Sequence, residues 1–281
     1  DADKKNIYKR VQKIKGFLEI IKQDNFIYGD SDDGYAFSPF VSFLTNKIEK
    51  LKTLTIFKDA GILRIKKNSL CMYFNFSNLG FGPLYAHGHS DCLSITIKLG
   101  NEEILVERGT YSYSINKKLR KYFRSTKAHN TMEINKTDQS KQLSSFMWEN
   151  DYNSKIHSIE EADEFVAFLA CHDGYYKKYK CIHWRGIYID QNDSVTIYDL
   201  VKGSFKNART YWNFSPTVKI KNLKENQLQI NDNILMSFND PSEKIDVYHS
   251  PSYARYQKAK SVHLNVNKGE SLVSFHDKKN K

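Results

Sequence analysis

The apolar positions of this chain change their period once, near residue 60. Ahead of that point Ile7, Val11, Ile14, Leu18 and Ile21 step by four, three, four and three, which places them on one face of a helix. Asp1 or Asp3 stands where a cap belongs. A glycine- and aspartate-rich loop follows over residues 26–35. Ser38-Pro39 then supplies a cap with proline at the first helical position, ahead of Phe40, Leu44, Ile48 and Leu51 in a second helix. Beyond residue 60 the period is two. Residues 62–65 and 70–76 predict strands around a Lys67-Asn68 turn, with Leu70, Met72, Phe74 and Phe76 on one face. Similar runs recur at 92–99, 103–107, 130–135, 164–171, 180–190, 194–201, 209–214, 217–220, 227–230, 233–238, 244–248, 261–266 and 271–275. Many short strands with turn signals and no intervening helices predict stacked antiparallel sheets. The expected fold is mainly β: a large antiparallel β-sandwich over 58–281, preceded by a helical unit of two α-helices over 1–57.

The acidic loop adds little chemistry of its own. Asp30, Asp32, Asp33 and Gly34 faintly resemble a calcium loop, but Val41 stands where the closing glutamate belongs. A turn-forming role for these aspartates is the simpler expectation.

Size and composition narrow the class. A chain of 281 residues can bury a substantial core. Its formal charge of +11, from 43 Lys and Arg against 32 Asp and Glu, favours an acidic partner. The lysines are spread along the chain and no arginine-rich block resembles a nucleic-acid arm, so nucleic acid is not the expected partner. The 18 Tyr, 17 Phe and 3 Trp suit pleated sheets, and they also suit sugar binding, where a flat ring carries a polar handle. Cys71, Cys92, Cys171 and Cys181 lie in separate apolar runs and read as buried free thiols. No apolar stretch reaches membrane-spanning length and no signal peptide opens the chain. The chain begins inside a helix, so an export signal upstream is compatible with it, and a periplasmic or secreted setting is the expectation.

The candidate chemistry centres on residues 85–95, Tyr-Ala-His-Gly-His-Ser-Asp-Cys-Leu-Ser-Ile. Taken as a strand, the stretch puts His87, His89 and Asp91 on one face with Leu93, Ile95, Ile97 and Leu99. The glycine between the histidines permits a close approach by another chain or a ligand. Two further stretches carry polar groups at strand ends: residues 103–113 with Glu107, and residues 120–131 with His129. Two histidines and a carboxylate are an ordinary zinc set, with water or a fourth group completing the tetrahedron. The three ligands would come from three different strands, so spacing alone is weak evidence, and a core histidine bonded to backbone carbonyls is the simpler expectation for each.

Taken in order, these motifs resemble the C-terminal β-sandwich of heparinase II/III-type polysaccharide lyases, a family that includes oligoalginate lyases. They are His87-Gly88-His89-Ser90-Asp91, Leu105 to Tyr113, Tyr122-Phe123-Arg124-Ser125-Thr126, Ala128-His129-Asn130-Thr131, and Asp138-Gln139-Ser140 leading to Phe146 and Trp148. His172 with Gly174-Tyr175, and His183 with Arg185, continue the pattern, and residues 29–34 resemble the loop closing the family's helical toroid. The resemblance implies an upstream α/α toroid, of which the two helices would be the end, with the active site between toroid and sandwich. It makes His87 the catalytic histidine of the sandwich side. It makes His89, Glu107 and His129 ligands of a structural Zn2+, with Asp91 supporting a ligand rather than being one. The family usually carries Asp at the place of Glu107 and Pro at that of Arg108.

The implied reaction is β-elimination on an acidic polysaccharide. The C5 proton of a uronic acid is removed, and the C4 oxygen leaves with help from a proton donor. Donors that neutralise the carboxylate stabilise the developing enolate. Tyr122 and Tyr113 are candidate proton-transfer partners of His87, and Arg124, with Asn130, is a candidate for meeting substrate. The competing reading is a non-catalytic carbohydrate-binding domain in surface polysaccharide metabolism.

Overall fold

The computed structural model describes residues 2–31 and 52–278. The expected second helix, with Phe40, Leu44, Ile48 and Leu51, and the Asp32-Asp33-Gly34 part of the acidic loop lie outside the described residues. Helix α1 (Ala2–Asp24) is followed by nineteen strands among the described residues. Strands β1 (Leu54–Phe57), β2 (Ile62–Lys67), β3 (Leu70–Asn75), β4 (Ile95–Leu99) and β5 (Glu102–Leu105) form one antiparallel sheet in chain order. A second sheet of four strands has the order β17 (Ser242–Ser252), β18 (Arg255–Val266), β13 (Ala208–Asn213) and β6 (Met132–Ile134). A third sheet of eight runs β14 (Ile220–Lys224), β15 (Gln227–Ile230), β16 (Ile234–Phe238), β19 (Glu270–Asp277), β12 (Val195–Lys202), β11 (Ile182–Ile189), β10 (Val166–His172) and β9 (Ser154–Glu161). A small hairpin pairs β7 (Gln142–Ser144) with β8 (Met147–Trp148).

The sandwich closes on a main apolar core that takes Leu63, Phe74 and Ile97 from the first sheet, Trp212 from the second, and Phe168, Ile187 and Phe275 from the third. Phe74 and Phe168 meet edge to face across it at 4.9 Å. Each such side chain contributes about 1.5–3 kcal/mol on leaving water, enough to set the strand registers. The first two sheets join end to end where Leu105 bridges Phe214 and Val106 N donates to Asn213 O. The expected antiparallel sandwich is present. No helix among the described residues is long and apolar enough to cross a membrane, and all four cysteines are free.

Two local expectations change. The first sheet begins at Leu54, inside the stretch expected to be helical, because β1 pairs with β2 from Leu54↔Ile65 to Phe57↔Ile62. Residues 85–94 are loop, not strand. Tyr85 and Leu93 sit at φ 55° and 60°, and Ser94 N closes a turn onto Asp91 O at 3.0 Å. His87, His89 and Asp91 therefore do not alternate with the core residues that follow. The reading of Gly88 as a place of close approach is met by the chain itself: a Cβ there would stand 1.9 Å from Leu79 O.

The end of α1 is bolted to the first sheet. Asp24 accepts from Arg64 Nε at 2.5 Å, Tyr73 Oη at 2.7 Å and Lys66 Nζ at 2.9 Å. Lys98 Nζ donates to the carbonyls of Asp24 and Asn25, and Phe26 stacks on Tyr73 at 4.0 Å. This anchor delivers residues 28–31 to the edge of the histidine loop.

Candidate active site

Asp30 organises the site. Its Oδ1 accepts from His89 Nε2 at 2.7 Å, from Arg120 Nη1 at 2.5 Å and from the Thr110 hydroxyl; its Oδ2 accepts from His87 Nδ1 and Arg120 Nη2, both at 2.9 Å. Burial alone would raise this carboxyl, but the hydrogen bonds and charges of His89 and Arg120 outweigh it and hold the group well below the usual carboxylate range. Arg120 reaches Asp30 from helix α2 (Lys117–Phe123), whose first turn is capped by Asn116 Oδ1 accepting from Lys118 N and Leu119 N. Neither Asp30, expected only to shape a turn, nor Arg120 stood out in the sequence.

A chain of polar contacts runs inward from Asp30. His89 Nδ1 faces His129 Nε2 at 3.3 Å, and His129 Nδ1 meets Glu107 Oε2 in a short bond; Ser94 Oγ donates to Glu107 Oε1 at 2.8 Å. Burial pushes the His89 imidazole down to about 4 against the pull of Asp30, whereas Glu107 overcomes burial and raises His129. Asp91 lies beside this chain, fully buried, and burial pushes its carboxyl up to about 7.

Hydrogen bonding assigns the ring protons. His89 Nε2–H donates to Asp30 and His129 Nδ1–H donates to Glu107, so what lies between the two inner nitrogens is either a second proton on His129, which Glu107 favours, or a metal cation. Their 3.3 Å separation is that of two nitrogens sharing one tetrahedral zinc at about 2.0–2.1 Å. Glu107, expected as the third ligand, touches the opposite edge of the His129 ring, and no three such groups converge on one point among the described residues. The donor pair fits zinc; Glu107 instead holds His129 from behind.

His87 stands at the other end of the chain, on the open side. Its ring is 66% exposed, with Nδ1 fixed by Asp30 and Nε2 without a hydrogen-bond partner among the described residues. Tyr113 lies edge to face with it at 5.6 Å, and Phe146 at 6.4 Å. His87, His89 and Asp30 line a cavity of about 1310 Å³ walled by Tyr28, Phe81 and His157 among others.

The remaining expected site residues are placed elsewhere. Tyr122 lines a separate lysine-rich groove, across α2 from the Arg120 side chain. Arg124 is fully buried: Nε donates to Gly88 O at 3.2 Å, Nη1 to Ser144 O at 2.9 Å, and the guanidinium covers Trp148 at 4.5 Å. It props the histidine loop and presents no fork to a ligand. Asn130 is also spent on the main chain, donating to Ile95 O and Val106 O and accepting from Asn213 N. His172, His183 and Arg185 form a second polar cluster with Asp199 inside the sandwich.

Comparison with known proteins agrees with the sandwich fold. A sequence profile described as heparinase II/III-like, C-terminal, matches residues 49–279. Among solved structures, a heparinase III superposes with a TM-score of 0.71 at 14% identity, over 90% of this chain and 44% of that one. The heparan sulfate lyase HepC from Pedobacter heparinus gives 0.68 at 14% identity, over 94% of this chain and 42% of its own. A further heparinase III gene product gives 0.68 at 15% identity, over 87% and 39%. These likenesses are of fold, and the chain spans about two fifths of the length of those proteins. No curated protein matches it by sequence.

Proposed function

This chain belongs to the heparinase II/III-like family through its C-terminal sandwich domain, and on that premise we propose that it forms the sandwich half of a polysaccharide lyase. The substrate class is an acidic polysaccharide containing uronic acid, and the reaction is β-elimination. The observation that carries this reading is the His87–Asp30 pair at the cavity mouth. Asp30 accepts the hydrogen bond of Nδ1–H and leaves Nε2 of an exposed ring without a partner among the described residues. Such an imidazole can accept a proton, and its partner carboxylate stabilises the cation that results. The C5–H proton passes to Nε2, the C4–O bond breaks, and a C4=C5 double bond forms. Tyr113 is the proposed donor to the departing C4 oxygen, because it is the tyrosine in ring contact with His87. An upstream toroid domain is proposed to supply the facing wall and its catalytic groups.

Zinc is proposed between His89 Nδ1 and His129 Nε2, where it would tie the histidine loop to the loop carrying His129. Its role is structural, and no step of the elimination passes through it. Incubating the intact protein with alginate, heparan sulfate and capsular uronate polymers tests the reaction. A rise in ultraviolet absorbance from unsaturated uronyl ends is expected on at least one. Glycan binding without any rise on any of them would replace the lyase reading with a carbohydrate-binding one.

A further inference from the structure

The aromatic contacts that begin at His87 continue well past Tyr113. Tyr113 also meets Phe146 at 5.6 Å and Tyr253 at 5.7 Å. Tyr253 stands at the turn of the long β17–β18 hairpin. A second limb on the same tip runs from Tyr111 to Tyr256 at 5.2 Å and on to Tyr248 at 5.0 Å. Tyr248, Tyr253 and Tyr256 are 41%, 42% and 49% exposed, so these rings contact one another while leaving their outer faces in water. Contiguous exposed rings of this kind mark a surface that something covers.

The tip is held in place rather than left to swing. Ser250 N donates to Arg108 O at 2.8 Å, and Ala254 N donates to Tyr111 O at 2.6 Å. Between these bonds Gly109, at φ 77°, makes room for Ser250 O, which a Cβ would meet at 2.0 Å. The segment that carries Tyr111 and Tyr113 is thus strapped to the hairpin that carries Tyr253 and Tyr256. Arg255 lies on the same tip, exposed, and its guanidinium makes no hydrogen bond or ion pair among the described residues.

We propose that the β17–β18 tip and the Tyr111–Tyr113 segment form a sugar-stacking wall, binding the pyranose rings of an acidic glycan next to the residue presented to His87. Tyrosine suits this task because its face packs against the apolar C–H face of a sugar while its hydroxyl stays wet. Arg255 supplies a planar cation for a carboxylate or sulfate of the same chain. The assignment deepens the lyase reading by naming what holds the substrate beyond the reacting residue. Continuity of the wall with His87 and the charge of its tip favour a glycan over a protein segment.

The test uses the intact protein, its Tyr253→Ala/Tyr256→Ala variant and the matching Phe variant. The probes are heparan sulfate and alginate oligosaccharides of tetrasaccharide and decasaccharide length. The Ala variant is expected to bind the longer oligosaccharides about tenfold more weakly by calorimetry. Its KM should rise by about the same factor with kcat nearly unchanged, and the Phe variant should keep parental affinity. Unchanged affinity in the Ala variant overturns the wall, as does equal loss in both variants, or failure of the parent to bind either glycan. Ring-dependent binding, with no cleavage of these probes or of the capsular uronate polymers, leaves the wall standing and removes the lyase reading alone.

Discussion

Two buried histidine pairs lie in this domain, and they are made of the same parts. In each, the rings meet at 5.2 Å between centroids, with facing nitrogens 3.3 Å apart in one pair and 3.2 Å in the other. Each has a carboxylate and an arginine close by. The difference lies in where the protons go. Gly174 N donates to His172 Nδ1, His172 Nε2–H donates to His183 Nδ1, and His183 Nε2–H donates to Asp199. Every nitrogen in that pair has a partner of the right kind, and both rings stay neutral. Arg185 seals the cluster, bridging Asp199 and the carbonyls of Leu93 and Asn130. In the His89–His129 pair both outer nitrogens donate to carboxylates, so the gap between the inner nitrogens is filled by a second proton on His129 or by a metal cation, and the chain opens through Asp30 onto His87 and the cavity. One pair is closed and self-satisfied. The other carries a positive charge, on the His129 ring or as a metal ion, and reaches solvent.

The strongest way to break this contrast is to act on the two ends separately. His87→Ala should lower glycan cleavage by about 10²–10⁴-fold. The melting temperature should stay unchanged, because the side chain is exposed and holds one hydrogen bond among the described residues. Activity within a factor of ten of the parent would mean that the open end is not the reacting end. Asp199→Ala should do the opposite kind of damage. Removing that carboxylate strands Arg185 and His183 in a dry interior, which costs about 3–5 kcal/mol of stability in denaturant unfolding. A loss below about 1 kcal/mol would show that the closed cluster is not holding the sheets together.

What was legible in the chain follows the same division. Strands β11 and β12 alternate buried with half-buried or exposed positions along their length, so a period of two found them. Strand β9 escaped because it is largely open to solvent and reads Ser-Lys-Ile-His-Ser-Ile-Glu-Glu, with little apolar alternation. The histidine loop was misread as a strand because the apolar run from Leu93 onward is genuine, while the positive φ at Leu93 leaves no trace in hydrophobicity. Asp30 was visible only as a turn former, since its donors His87, His89, Thr110 and Arg120 are brought to it by the docking of α1. Arg124 and Asn130 have the right chemistry for a ligand, yet backbone carbonyls have claimed it. Residue type alone does not separate those uses.

The metal offers a finer test of the same pair. Purified intact protein should carry near-stoichiometric zinc, and His89→Ala should remove it by taking away one inner nitrogen. His172→Ala should leave the metal content unchanged, because that pair is already proton-satisfied. Elemental analysis of the three proteins decides it. Glu107→Gln should weaken retention rather than abolish it, since its carboxylate meets His129 on the edge away from His89.

The smallest expected effect is on stability against pH, and the closed pair contributes to it. Burial lowers His172 and His183 below the ordinary histidine value, with the neighbouring histidine and Arg185 adding to the effect at His172. The unfolded chain therefore binds protons that the folded one refuses. Stability from these rings is fully present above about pH 6.5 and declines as the pH falls below it, by at most about 1.4 kcal/mol per pH unit for each histidine. Asp199, held near 2 against the pull of burial by Arg185 and His183, adds a second loss only below about pH 4. Urea midpoints measured from pH 8 to pH 5 should fall for the parent. In His183→Gln, with one buried imidazole gone, they should fall less steeply. An unchanged slope in that variant would place the acid sensitivity elsewhere and remove the proton accounting that distinguishes the two pairs.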